Sequence, residues 1–444
     1  MSRTLHLLIR TALSLGIALA LILHATGQIS LPLLNQLELF AYDARLRLTL
    51  PGGVDPRIVI VDIDEASLLR EGQWPWPRQR LAQLVDTLFD HYQIRLLAFD
   101  IVFAEPERNA ALTALDALAQ GALRDDAPFQ QHWAALRPQL SGDARLAASF
   151  RDRAVVLGYA FARSDQQGGD LRIGQLPLAA APITILGNLP NPFATVTGYS
   201  ANLPLLQASA SGGGFFNSTL VDPDGLFRRL PLLVGYDGQF YEHFSLAVVQ
   251  TLLGQPPLEF VTAAGYQGGQ QQIEAVRIGA FDIPIDAQGA ALVPYRGPQG
   301  SFPYVSASAV LERQADPQIL NGATVLVGAT AAGLMDLRAT PVQNIYPGVE
   351  VNATLIAGIL DQQIKNRPAF TIGLEIALLA LLGILGSGLG LLPPLRALLG
   401  TLALAVAVIA LNFYAWQTLN WVMPLAPALT LLALLYVLHS SYGY

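Results

Sequence analysis

The sequence predicts an α/β domain, a mostly parallel sheet with antiparallel additions, carried by four transmembrane α-helices, one N-terminal and three C-terminal. Three observations lead there. Of 444 residues, 52% are apolar and only 13% charged, about half the charged share of an ordinary soluble domain. The apolar excess collects at the two ends, in runs close to the roughly 20 residues that cross a hydrocarbon core. Between the ends, short continuous apolar runs such as IVIVDIDE flank a segment of helical period, the pattern of strands buried on both faces of a parallel sheet.

Residues 11–27, TALSLGIALALILHATG, follow Arg3 and Arg10, so they predict a membrane helix with a cytoplasmic N-terminus. A cleaved signal peptide has a similar outline, but Ala25-Thr26-Gly27 is a poor cleavage site and apolar character resumes at Ile29. Residues 58–65 are the first buried strand. Trp76-Pro77 opens a helix, proline suiting the first turn, and Leu81, Leu84, Val85, Leu88 and Phe89 keep the 3.6-residue period. Residues 95–103, RLLAFDIVF, are a second strand, completing a strand–helix–strand unit expected to cross over right-handed. Residues 107–150 are polar, Ala-rich and helical, an excursion from the sheet. AVVLGYAF (154–161) and ATVLVGAT (323–330) supply two more strands. Between them, residues from about 165 to 200 read as loop, and hairpin chemistry occurs at Asp237-Gly238 and at Gln288-Gly289, the latter between IPID and AALVPY. Asp222-Pro223-Asp224-Gly225 is a turn, proline presetting one dihedral and glycine permitting the next.

After Arg367 come three apolar runs, 370–392, 398–416 and 421–438, in which Glu375 is the one charge. The loop LPPLR with Arg396 falls on the cytoplasmic side, while the other short loop, edged by Trp416 and Trp421, carries no cation and reads as an outer aromatic belt. Gly386 and Gly390 have the small-residue spacing of closely packed helices. The expected division is a cytoplasmic N-terminus and first helix over 1–29, an extracytoplasmic domain over 30–366, and three helices over 367–444 ending in the cytoplasm. Of 26 Lys and Arg, four lie outside 30–366, and of 33 acids only Glu375 does, so the outer part carries 22 cations against 32 anions, a net of −10. That balance argues against nucleic acid as a partner.

Asp62, Asp64 and Glu65 end one strand, and Asp100, Glu105 and Glu107 fall at or after the end of the next. With parallel strands these acids share the carboxyl edge, where ligands of open α/β sheets bind. Asp62, Asp64, Asp100 and Glu105 thus form a candidate binding edge, which Asp336, after the last strand, is expected to approach. The blander account is that the acids cap helices and face water, with Asp336 in a buried ion pair. Asn217, Asp222 and Asp224 lack the spacing of a calcium loop and read as turn structure. Glu375, inside a membrane run, is a functional candidate by default, or else meets water near the outer interface. The six histidines show no metal-ligand spacing, there are no cysteines, and a phosphate loop ending in Gly-Lys is impossible because Lys365 is the single lysine. No cofactor and no metal site are called for, and no catalytic residue stands out.

IVIVDIDEASL, GQWPWPR, LLAFDIVFAEPE, GGFFNSTLVDPDGLFRR, VLVGATAAGLMDLRATP and PGVEVNATLIAGIL resemble, in order across most of residues 35–365, the second type of CHASE domain, the cyclase and histidine-kinase associated extracellular sensor. The resemblance implies a bacterial cytoplasmic-membrane protein with its central domain in the periplasm, binding an unidentified ligand or protein. It also implies a signal relayed to a cytoplasmic output, commonly a class III adenylate cyclase, otherwise a histidine or serine/threonine kinase, and a homodimer, because such cyclase sites form between two subunits. LHSSYGY is similar to the exit of the last helix in cyclase-linked members, and the chain stops at Tyr444, where an output would begin. The rival expectations are a membrane-anchored hydrolase acting through the acidic edge and an output-free membrane modulator.

Overall fold

The computed structural model describes residues 3–164, 169–217, 220–264, 271–331, 333–334 and 336–442, so Ser218, Thr219, Ala332, Met335, Gly443 and Tyr444 of the stretches quoted above lie outside the described residues. The chain falls into two units, one of Pro51–Phe260 and Val276–Gln363, the other of Met1–Leu50, Val261–Ala275 and Ile364–Tyr444.

The first unit is mixed α/β around an eight-stranded, mostly parallel sheet. Its principal strands are β1 (Ile58–Ile63), β2 (Leu96–Phe99), β3 (Val155–Ala162), β4 (Gly212–Phe215), β5 (Tyr304–Ser306) and β6 (Thr324–Ala329). They run parallel in the order β5-β1-β6-β2-β3, with β4 parallel beside β3. Gly198–Ser200 adds antiparallel to β3 and brings Arg172–Ile173 with it, so the segment expected as loop supplies the sheet edge. The expected strands are present, but β1 and β2 are not neighbours. β6 lies between them, Thr324 pairing with Ile58 on one side and Leu96 on the other. A strand drawn from 260 residues downstream can take that place because TVLVGA, apolar on both faces, suits a central position.

Alternation along β1 sends Val59, Val61 and Ile63 into the core that holds Leu81, Leu84, Val85 and Leu88. The first three of those four lie on helix α4 (Arg78–Asp86), and the fourth on the π-helical turn that extends it; each is worth about 2 kcal/mol when buried. Pro77 sits in the capping position of α4 rather than in its first turn. The excursion is three helices, Ala110–Gln120, Ala127–Leu140 and Gly142–Phe150. Asp237-Gly238 does close a hairpin between Leu233–Tyr236 and Gln239–Glu242, both turn residues having the positive φ (48° and 73°) that a tight hairpin demands. Gln288-Gly289 also lies in a closed turn, the Gly289 amide donating to the Asp286 carbonyl and the Asp286 amide to the Ala290 carbonyl, while the Asp286 carboxyl takes the amides of Gln288 and Ala290 and an ion pair from Arg229; the strand that follows, Ala290–Leu292, pairs with Arg229–Pro231.

The second unit gathers α1 (Arg3–Ala25), α2 (Pro32–Leu48), α7 (Thr371–Leu389), α8 (Pro394–Thr418) and α9 (Ala426–Tyr442). Residues 30–50, expected with the outer domain, belong here. Ala18, Leu21, Leu34, Leu379, Leu382, Val408, Leu431 and Leu435 form its core. Among the described residues α7 and α8 are long and apolar enough to cross a membrane, whereas the apolar parts of α1 and α9 are shorter. Close packing of α7 on α9 runs through the two glycines: a Cβ on Gly386 would lie 2.7 Å from a methyl of Leu435, and one on Gly390 would lie 2.2 Å from His439 Nδ1.

Candidate functional site

The carboxyl ends of β1, β6 and β2 lie side by side, because parallel pairing puts Asp62 opposite Gly328 and the Asp100 amide on the Val327 carbonyl. Asp62 and Asp100 are therefore two strands apart, about 10 Å between strand axes. Helix α6 (Gly348–Leu360) packs onto the strand between them. A Cβ on Gly328 would lie 2.8 Å from the Val349 side chain, so glycine is what lets the helix seat there. The expected edge is thus occupied by protein.

On the β1 side, Asp62 is buried and accepts the amide of Thr330 (2.9 Å) and its hydroxyl. Burial pushes its carboxyl up, the two bonds from Thr330 pull it down, and the charge of Asp64 pushes it up again. Asp64 caps helix α3 (Glu65–Glu71) by accepting the Ser67 amide at 2.8 Å, and also takes the Ser306 hydroxyl. Capping is the blander role expected of these acids, and Asp64 performs it.

On the β2 side, Asp100 keeps some exposed surface, yet burial is the largest influence on its carboxyl, which is pushed up to about 7. The Asp336 charge adds to that rise, and the Asn352 amide (3.3 Å) and Arg338 oppose it. Asp336 does approach Asp100. Its carboxylate pairs with Arg338 at 2.6 Å, but with half its surface exposed, so the ion pair is not the buried one expected. A Cβ on Gly348 would lie 2.6 Å from Asp336 Oδ2, so the first turn of α6 accepts the carboxylate at close range. Glu105 is 80% exposed, pairs with Arg108 at 4.0 Å and stands apart from this group.

The structure adds residues that motif reading passed over. Asn352 Oδ1 accepts Ser245 Oγ on helix α5 (Phe244–Leu252), and the Ser245 amide donates to His243 Nδ1, so a buried polar line runs inward from Asp100. Burial pushes His243 down to about 3 and Glu242 up to about 8, leaving both neutral near pH 7. Among the described residues, His243 Nε2, Glu242 Oε1 and the Tyr159 hydroxyl have no hydrogen-bond partner. Glu350, also on α6 and fully buried, accepts the amides of Gly300 and Ser301 and the Tyr304 hydroxyl. The signal for Glu350 and Asn352 was a polar pair within VEVNATLI, at a two-residue spacing that puts them on nearly opposite faces of one helix. Asn217 exchanges both backbone bonds with Phe161, and Arg228 clamps Asp222 and Asp224, which makes these turn structure.

In the helical unit Trp416 is buried, its Nε1 donating to Thr49 Oγ1 at 2.8 Å and its ring edge-on to Tyr42; it is core rather than aromatic belt, because α2 packs against it. Trp421 is half-buried against Phe370. Glu375 does not meet water: its side chain is 5% exposed and holds Arg367 at 2.8 Å. Arg396 is exposed.

Neither the curated proteins nor the solved structures contain a match to this chain. A family model described as the CHASE2 domain matches residues 15–388. That stretch includes both strands bearing the acids, the helix seated between them and nearly all of α7, the first of the two helices long and apolar enough to cross a membrane, and the chain belongs to the CHASE2 family of extracellular sensor domains.

Proposed function

We propose that the chain is the extracytoplasmic sensor and membrane relay of a signalling protein whose output is a cytoplasmic class III adenylate cyclase acting as a dimer. The observation that carries the reading is the CHASE2 match over 15–388 joined to α7 and α8, two helices fit to cross a membrane directly after the α/β unit. Four crossings are supported by the apolar side chains that α1 and α9 also leave uncovered, Leu15 (66% exposed), Leu19 (57%) and Val437 (58%), within the apolar stretches Ile9–Ala25 and Ala426–Ser441. With Arg3 and Arg10 inside, four crossings put the α/β unit outside and both termini in the cytoplasm.

In this reading the signal acts where α6 closes over the strand ends. Asp100 and Asp336 are two carboxyls of which one holds its proton near neutrality, and a cationic or hydrogen-bonding ligand, or a protein partner, that favoured one packing of α6 would shift the equilibrium between two arrangements of the chain. The hydrolase alternative loses support from the separation of Asp62 and Asp100 by a whole strand with Val349 filling the gap.

The test is intact mass and peptide mapping of the native membrane protein, followed by cyclic nucleotide assays of the same membranes. A mass well above 47.6 kDa with cyclase peptides is expected. A mass near 47.6 kDa, or cyclic nucleotide levels indifferent to Asp100→Ala and Asp336→Ala in a folded protein, sinks the cyclase reading and the site respectively.

A further inference from the structure

Helix α2 turns its charges toward protein and its large apolar side chains away from it. On the inward side Leu34 joins the core of the helical unit, and the buried Arg45 holds Glu38 at 2.7 Å, Asn412 Oδ1 at 2.6 Å and the Met423 carbonyl at 2.7 Å. Glu38 in turn accepts the Leu425 and Ala426 amides, and Thr49, in the capping position of α2, accepts Trp416 Nε1. On the outward side Leu33, Leu37, Phe40 and Leu48 are 68%, 42%, 70% and 75% exposed. With the half-buried Ala44 they recur at intervals of three and four residues, which gathers them into one stripe over about a quarter of the helix circumference. Gln36 and Arg47, both exposed, border that stripe along one edge. A helix in water arranges such residues the other way round, because exposed leucine and phenylalanine leave burial energy unrealised while a buried ion pair gives up its hydration. In hydrocarbon the preference inverts, charged groups pairing inside the bundle and apolar side chains facing out.

We infer that α2 is a membrane-surface helix set into the outer leaflet, with Leu33, Leu37, Phe40 and Leu48 against lipid acyl chains and Gln36 and Arg47 toward the headgroups. The depth follows from its contacts. α2 comes directly after α1, and its inward bonds fall on Trp416, near the end of α8, and on Leu425 and Ala426, at the start of α9, so the helix rests on the outer ends of the bundle. The occupant is lipid because the same end of the bundle leaves Leu411 (64% exposed) and Tyr414 (59%) of α8 and Leu374 (45%) of α7 uncovered as well. The inference rests on the membrane reading proposed above and adds to it that the outer domain begins after Leu50, the limit of the helical unit, not at residue 30.

The test uses the full chain in nanodiscs of phosphatidylcholine and phosphatidylglycerol. Leu33→Cys, Leu37→Cys, Phe40→Cys and Leu48→Cys are made one at a time in this cysteine-free chain and spin-labelled. Collision of the label with oxygen, which dissolves among acyl chains, is compared with collision with a water-soluble nickel chelate. Ile384→Cys, at a 70% exposed position of α7, gives the value for lipid, and Leu178→Cys, at a 98% exposed position of the α/β unit, gives the value for water. The oxygen-to-nickel ratio on the stripe should be several-fold above that of Leu178→Cys and close to that of Ile384→Cys, with Gln36→Cys between the two. All four positions are exposed, so the substitutions leave the core intact, and a variant that fails to fold leaves three others to decide. A ratio on the stripe equal to that of Leu178→Cys overturns the inference. Low collision with both reagents overturns it too, because protein then covers the stripe, and spin–spin broadening would identify that cover as a second copy of the chain. The two readings fail distinguishably: nickel reaching Ile384→Cys overturns the membrane reading and this inference with it, whereas oxygen at Ile384→Cys with nickel on the stripe overturns this inference alone.

Discussion

The most deeply buried charge differs between the two units, Glu350 in one and Arg45 in the other. The α/β unit buries carboxylates and answers them with donors: Glu350 takes two main-chain amides and a tyrosine hydroxyl, and Asp62 takes the amide and hydroxyl of Thr330. The helical unit buries cations and answers them with carbonyl oxygens. Arg45, 1% exposed on α2, donates to the Ala41 and Met423 carbonyls, to Asn412 Oδ1 at 2.6 Å and to Glu38. Lys365 donates to the Trp416 carbonyl at 2.6 Å and to Asn420 Oδ1, at the end of α8. The difference follows from which backbone groups each architecture leaves free. Loops leaving a parallel sheet turn N–H groups inward, whereas the last turn of a helix leaves carbonyls and a negative dipole end, which cations complete. Glu38 follows the same rule from the other helix end, because its carboxylate accepts Leu425 and Ala426 amides at the start of α9.

The largest expected effect falls on that contrast. Arg45→Leu leaves Glu38, Asn412 and two carbonyls buried without their cation and should cost about 3–5 kcal/mol, seen as a lower melting temperature in detergent. A cost under about 1 kcal/mol would mean that the helical unit does not depend on its buried cation. Glu350→Ala strands two amides and a hydroxyl in the α/β unit and should cost about 3 kcal/mol by the same measurement.

Asp100→Asn should act in the opposite direction. The folded state holds this proton to about pH 7, whereas the unfolded chain releases it near its ordinary value of 3.8. Stability contributed by this group is therefore highest below pH 4 and declines by up to about 1.4 kcal/mol per pH unit until the pH passes 7. Asparagine removes the decline, so the variant should be more stable than wild type by roughly 2 kcal/mol at pH 8 and indistinguishable near pH 4. Equal pH profiles of melting would show that Asp100 ionises freely. Gly386→Ala drives a Cβ against the Leu435 methyl, whose flexible end can yield, and should cost about 1 kcal/mol while leaving the α/β unit unaffected. The smallest effect is Asp336→Asn, which removes one repelling charge and should move the steep part of the Asp100 profile toward lower pH.

Much of the fold was legible because burial on both faces writes itself into composition. β1, β2, β3 and β6 stood out as apolar runs, and the α4 period named residues that do line the core. The glycine spacing of α7 named a helix contact correctly, since small side chains have a direct steric meaning. The candidate site was legible only in part. Asp62, Asp64 and Asp100 were found because acids at strand ends are conspicuous, but nothing local said that α6 would sit between them. Gln288-Gly289 has hairpin residues and sits in a closed turn, yet the strand after it pairs with Arg229–Pro231, a partner about 60 positions away that no local signal names. Trp416 looked like a boundary residue because α2, which covers it, is too polar to read as part of a membrane bundle.

The sequence by itself determined the apolar ends, the parallel character of the strands, the acids that terminate them and the family those stretches resemble. These depend on residue type and on spacing within a few turns of chain, where sterics and hydrophobicity act directly. Only the tertiary structure decided that β6 separates β1 from β2, that Asp100 meets Asp336 and Asn352, and that Arg45 is the buried centre of the helical unit. Each of those joins segments hundreds of residues apart, and the energy that selects the pairing comes from burial and hydrogen-bond satisfaction summed over partners that no local window contains.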